Sequence, residues 1–119
     1  MLVANRFTIR AEHPAYARRI VRSALIGAND EAVEIAALLT SELVTDVMNH
    51  AEADPQLFLD SRQHHVYIEV RNSDLESPHQ PNPPWEPRGW ALDIMNAFAS
   101  SWGIESRHDG RAIWFDLAF

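Results

Sequence analysis

The sequence predicts a two-layer α+β sandwich, with helices packed on one face of a mostly antiparallel sheet. Three observations carry this. Apolar residues recur at helical spacing over three stretches and alternate at strand spacing over five others. The two patterns follow one another as strand, helix, helix, strand, strand, long loop, helix, strand, strand, an order that gathers the helices on one side of a hairpin-rich sheet. The length, 119 residues, suits one domain over residues 1–119, large enough for a core but too small for two.

Phe7-Thr8-Ile9-Arg10 alternates and is rich in β-formers, which predicts a first strand within residues 2–11. His13-Pro14 opens a helix, with the proline at an early position where its missing N–H is harmless, and Gly27 stops it. On this helix Arg18, Arg19 and Arg22 surround an apolar edge of Ile20, Val21 and Leu25. The cluster is either a solvated face or a surface for an acidic partner. Asn29 or Asp30 caps the next helix, Glu31 and Glu34 suit its dipole, and the pattern runs to about His50 or Ala51. Asp54-Pro55 ends it.

Residues 56–60 and 65–71 then read as an antiparallel hairpin about a polar turn, Ser61 to His64. Val66, Ile68 and Val70 share a face of the second strand, and His64 and His65, being adjacent, point apart. Five of the seven prolines fall between residues 72 and 88, which makes this a stiff, irregular loop. Gly89 releases the chain into an amphipathic helix from Trp90 to about Ala99. It carries Leu92, Met95 and Ala99 on one side, with Ile94 and Phe98 beside them. Two closing strands, 102–107 and 111–117, flank His108-Asp109-Gly110, whose Asp-Gly pair is a strong hairpin signal.

Composition narrows the function classes. No apolar run approaches the roughly 18 to 20 residues needed to cross a bilayer, and the first residues lack the pattern of a signal peptide, so a cytoplasmic protein without membrane attachment is expected. No cysteine is present, which removes disulfides, thiolate metal sites and cysteine nucleophiles. The net charge of −7 argues against nucleic-acid binding, which needs a surplus of basic groups. All ten basic residues are arginines, so no mechanism here uses a lysine amine.

The most informative stretch is Thr40 to His50. On a helical wheel over residues 35–50, Ile35, Leu38, Leu39 and Leu43 form one stripe, and Glu42, Asp46, Asn49 and His50 fall inside it. A carboxylate at a core-facing position costs several kcal/mol unless it is paired, protonated or bound. Two such acids one turn apart mark a candidate site. The plainer alternatives are that the helix end protrudes and both acids are solvated, or that Glu42, Asp46 and His50, spaced i, i+4, i+8, chelate a divalent cation alone. Trp85 and Trp90 beside the proline-rich loop read as packing anchors.

Ser41-Glu42-Leu43-Val44-Thr45-Asp46-Val47-Met48-Asn49-His50-Ala51 resembles the signature helix of small bacterial anti-sigma-factor serine kinases. These belong to the ATPase superfamily shared by DNA gyrase, the heat-shock chaperone ATPase and sensor histidine kinases. In that family the pattern reads Ser-Glu-Leu-Val-Thr-Asn-Ala, two further residues, then His-Ala. Val70-Arg71 with Pro78 resembles the first glycine box, Arg88-Gly89 before an apolar helix the second, and Trp102-Gly103 with Ile113-Trp114-Phe115 the closing hairpin.

The resemblance implies a histidine-kinase-like ATPase fold, with ATP and Mg²⁺ as cofactors. It implies a sigma factor or an anti-anti-sigma protein as partner, and a homodimer. It assigns Glu42 as the general base of phosphoryl transfer and Asp46, in place of the family's Asn, as the Mg²⁺ ligand. Asn72 stands where the family has the Asp that accepts a bond from adenine, Asp74 replaces the glycine that follows, and Pro87 replaces the first glycine of the second box, leaving Arg88 and Gly89 near the phosphates.

Each departure weakens the implied contact. Asp46 adds negative charge beside a polyphosphate while still offering oxygen to a hard cation. Asn72 accepts a hydrogen bond without charge assistance. Only Arg88 offsets Asp46, Asp74, Glu76 and Glu86 around the implied phosphate site. The expectation is a regulatory protein acting by partner switching, with nucleotide binding weakened and phosphoryl transfer poor or lost. An active ATP-dependent serine kinase is the alternative.

Overall fold

A computed structural model describes residues 5–10, 14–25, 27–50, 55–62, 64–72, 89–107 and 110–119. Eight elements follow in the order β1 (Asn5–Arg10), α1 (Pro14–Ala24), α2 (Asp30–His50), β2 (Gln56–Arg62), β3 (His65–Asn72), α3 (Gly89–Phe98), β4 (Ser101–Arg107) and β5 (Gly110–Ala118). The strands form one sheet in the order β1-β2-β3-β5-β4. All four pairings are antiparallel, so within the described residues the sheet has no parallel pair.

Period-2 alternation decides which side of the sheet meets the helices. Leu57 and Leu59 of β2, Val66, Ile68 and Val70 of β3, and Ile113 and Phe115 of β5 are fully buried on one face. They share one apolar cluster with Ala17 and Val21 of α1, Leu39, Leu43 and Val47 of α2, and Ala91 and Met95 of α3. The molecule is therefore an α+β protein whose helices lie on one side of an antiparallel sheet. The other side carries Phe58, Tyr67, Glu69, Arg71, Trp114 and Asp116, and among the described residues no helix lies over it.

The local signals account for the element ends. Asn29 caps α2, its Oδ1 accepting from the Ala32 N–H at 2.8 Å. Gly27, at φ 98°, makes the left-handed turn that separates α1 from α2. The hairpin turn is shorter than the predicted Ser61–His64. Strand β2 continues through Arg62, which pairs with His65, and His64 takes the positive φ of 64°. Histidine is among the residues that tolerate this region.

Two packing expectations are corrected. Leu38 does not join Leu39 and Leu43 in the core: it is 49% exposed, whereas they are buried. The buried stripe of α2 runs instead through Ala36, Thr40, Leu43 and Val47, with Leu39 on one flank. On α3 the buried pair is Ala91 and Met95, and Phe98 lies out in solvent with Trp90.

Candidate functional site

The connections direct Glu42, Asp46, Asn72 and Gly89 toward one end of the sheet. Strand β3 ends at Asn72, beside the start of β2, since Gln56 pairs with Arg71. Helix α2 feeds the start of β2 across residues 51–54, so its C-terminal half, with Glu42 and Asp46, lies at that same end. Helix α3 delivers its C-terminus to Ser101, and Ser101 pairs with Asp116, which pairs with Tyr67 near the opposite end of β3. The N-terminus of α3, Gly89, is thereby directed toward the Asn72 end. The C-terminal half of α2, the end of β3 and the start of α3 thus lie toward the same end of the sheet.

Glu42 and Asp46 stand one turn apart on α2, about 6 Å along the axis. Both are half-buried on the shoulder of the helix, between the core stripe and the exposed arc that holds Leu38. The wheel therefore placed them too far inward, because it took Leu38 as core. Burial pushes the Glu42 carboxyl above the ordinary range, and the charge of Asp46 pushes it further the same way. A carboxylate made more basic by desolvation and a like-charged neighbour suits a general base or a cation ligand.

The hydroxyls of the same half-helix are committed to the backbone. Thr40 Oγ1 donates to the Ala36 carbonyl at 2.7 Å, Ser41 Oγ to Leu38 at 2.9 Å, and Thr45 Oγ1 to Ser41 at 2.8 Å. Each hydroxyl proton is thus committed to a helix carbonyl, and only the oxygen lone pairs are left to accept a further bond. The polar chemistry presented here rests on the two acids.

Of the remaining assignments, Gly89 begins α3 at φ 60°, with open space where a Cβ would stand. That conformation favours glycine on backbone grounds alone. Asn72 closes β3, its Cα opposite that of Arg111, and its side chain lies outside the described residues. Asp74 and Arg88 lie outside them as well. Among the described residues no three His, Asp or Glu side chains gather to hold a metal ion. The side chain of His50, the third member of the cation-site alternative, is not among them.

A polar cluster on the bare face of the sheet went unnoticed in the sequence. Glu69 is only 1% exposed, although its strand position puts it on the side away from the helices. Its Oε1 accepts from the Tyr67 hydroxyl at 2.5 Å, its Oε2 from Arg71 Nε. The Arg71 guanidinium lies 5.3 Å from the centre of the Phe58 ring, and Tyr67 packs edge-on to Phe58 and stacks on Trp114. Tyr-x-Glu-x-Arg at strand period was a visible signal. What period alone does not reveal is that aromatic residues from β2 and β5 would cover the carboxylate.

The sequence matches no protein-family model and no curated protein significantly.

Proposed function

We propose that the chain is a transcription-regulatory protein of the partner-switching kind, a relative of anti-sigma-factor serine kinases in which nucleotide binding is weakened and catalysis is poor or lost. One observation carries the reading. Glu42 and Asp46 form a half-buried acid pair at the end of α2, at the end of the sheet toward which Asn72 and Gly89 also point. The motif that resembles the kinase helix thus coincides with a pair in which the basicity of Glu42 is raised by burial and by the charge of Asp46.

The same pair explains the weakening. Two carboxylates at adjacent turns already repel one another, and a polyphosphate would add further negative charge with no basic side chain on this stretch of α2 to meet it. A divalent cation would relieve the repulsion, so nucleotide would bind only as its Mg²⁺ complex. The partner is then a sigma factor or an anti-anti-sigma protein, bound by a homodimeric scaffold.

Glu42 also favours the second reading, an active kinase, because a raised carboxyl is the group a general base requires. The two separate experimentally. The chain is tested pairwise, by two-hybrid assay and then by purified pull-down, against the sigma factors and anti-anti-sigma proteins of its host, and each binder is incubated with it and radiolabelled ATP. A stable complex without label transfer is the expected outcome. Transfer that disappears in Glu42→Gln would establish the kinase, and binding to none of these proteins would overturn both readings.

A further inference from the structure

Strand β4 forms one edge of the sheet, and among the described residues no strand lies along its outer side. Such an edge presents main-chain N–H and C=O groups to any strand that can lie beside it. We propose that the β4 edges of two copies of this chain pair antiparallel about a two-fold axis at Gly103. This gives a surface to the homodimer of the function proposed above, but it rests on the sheet edge alone and stands whether or not nucleotide binds.

The ladder fixes which main-chain groups face outward. The β4–β5 register runs unbroken from Ser101↔Asp116 to Arg107↔Gly110, and the closing pair of a two-residue hairpin exchanges both of its hydrogen bonds. Alternation back from Arg107 then turns the main chain of Glu105, Gly103 and Ser101 toward β5 and that of Trp102 and Ile104 outward. Two bonds outside the ladder match this alternation: the Asp116 carbonyl accepts from the Ser100 N–H at 2.8 Å on the β4 side, and the Phe119 N–H donates to the His64 carbonyl at 2.9 Å on the β3 side. No described residue pairs with the outward N–H and C=O of Trp102 or Ile104.

The side chains about Gly103 are their own complement. With Gly103 opposite its counterpart, each Trp102 stands beside the second copy's Ile104. Both residues are on the helix-facing side, in register with Phe115 and Ile113, and both are only half-buried, so the pairing covers apolar surface that β5 leaves open. The Trp102 indole is already held, its Nε1 donating to Asn96 Oδ1 at 2.9 Å, and loses little freedom on pairing. Moving the axis to Ile104 would set Trp102 against Ser106, and moving it to Trp102 would set Ile104 against Ser100. The Gly103 axis alone matches both apolar residues. Strand β4 also contains no proline and no lysine, and its charged residues, Glu105 and Arg107, are of opposite sign. The other edge strand, β1, carries Arg6 and Arg10, whose like charges oppose such a pairing.

The chain has no cysteine, so introduced thiols report the register directly. In the proposed pairing Ser101 of one copy lies opposite Glu105 of the other, both exposed, in a non-hydrogen-bonded pair about 4.5 Å apart at Cα, which a disulfide spans. The two copies of either residue are about 14 Å apart, beyond its reach. Ser101→Cys and Glu105→Cys proteins, one with a mass tag, are oxidised with copper-phenanthroline at millimolar concentration, separately and mixed. The mixture should yield the crossed disulfide dimer, and neither protein alone should. Sedimentation velocity of the unaltered chain should show weak, concentration-dependent dimerisation, as a small interface predicts. Ile104→Pro removes an outward N–H and no bond to β5, so it should stay folded by circular dichroism and monomeric. A monomeric unaltered chain at millimolar concentration would overturn the proposal, as would Ser101→Cys cross-linking to itself as readily as to Glu105→Cys, or a folded Ile104→Pro that dimerises as the unaltered chain does.

Discussion

Glu42 ionises against two unfavourable influences, burial and the charge of Asp46, so its proton is held more tightly in the folded chain than in the unfolded one. Above the ordinary Glu value near 4.5, the folded state binds more protons than the unfolded state, and stability falls as pH rises through the raised value. Glu42→Gln should therefore stabilise the protein by about 0.5 kcal/mol at pH 7. The gain should vanish below the ordinary Glu value, where the wild-type side chain is already neutral in both states. Urea denaturation at pH 7 and pH 4 checks this, and a variant less stable than wild type at pH 7 would mean that a cation-like partner already compensates Glu42. The position was legible as polar residues interrupting an apolar wheel. Its depth was not, because Leu38 looks like core by composition and only the packing of α1 and the sheet against the other flank of α2 decides otherwise. The arginines of α1 show the same limit: Arg22 forms a forked pair with Glu34 on α2, both Nε and Nη2 at 3.0 Å, a contact that neither helix reveals alone.

Strand β3 presents Val66, Ile68 and Val70 to the helices and His65, Tyr67, Glu69 and Arg71 to the other side, and the two rows have different needs. The first row was read directly from alternation. The second reads as a solvated face, but Phe58 and Trp114 from neighbouring strands cover Glu69, which then depends on Tyr67 and Arg71 for hydrogen bonds. Removing Glu69 takes away the acceptor that the Tyr67 hydroxyl and Arg71 Nε share, while both donors keep partial access to water. Glu69→Ala should cost about 1–2 kcal/mol in chemical denaturation, and Tyr67→Phe about 1 kcal/mol. Additive losses in the double variant would show that the tyrosine and glutamate do not act together. Next to this cluster Gly103 of β4 lies under the Trp114 indole, so close that an added Cβ would stand 3.0 Å from it. Gly103→Ala should then destabilise by about 1–2 kcal/mol and shift the tryptophan emission. The glycine was visible in the sequence as part of Trp102-Gly103; its reason, an indole leaning across from β5, required the register.

Across the molecule the two ends of the sheet differ in kind. One gathers acids on α2, and the other has a cavity lined, among the described residues, by Arg62, Ser61 and His64 and by no acid. The order of elements was readable because each hairpin and helix carries its own signal, and the β2–β3 and β4–β5 pairings follow from short connections, whereas β1–β2 and β3–β5 pair strands separated by helices. The cavity was not readable, since it is made by two turns distant in sequence and by Phe119. The implied nucleotide contacts at Asp74 and Arg88 lie outside the described residues, so the chemistry of that end rests on Glu42, Asp46 and the backbone at Asn72 and Gly89. The proposed function makes substitution there informative: Asp46→Asn, Asn72→Asp and Asp74→Gly together should raise the affinity for nucleotide above that of the unaltered chain, read as heat of binding. The direct measurement is calorimetric titration of the purified protein with ATP in excess Mg²⁺. The account predicts no saturable binding at micromolar nucleotide, and a micromolar dissociation constant for the unaltered chain would contradict it.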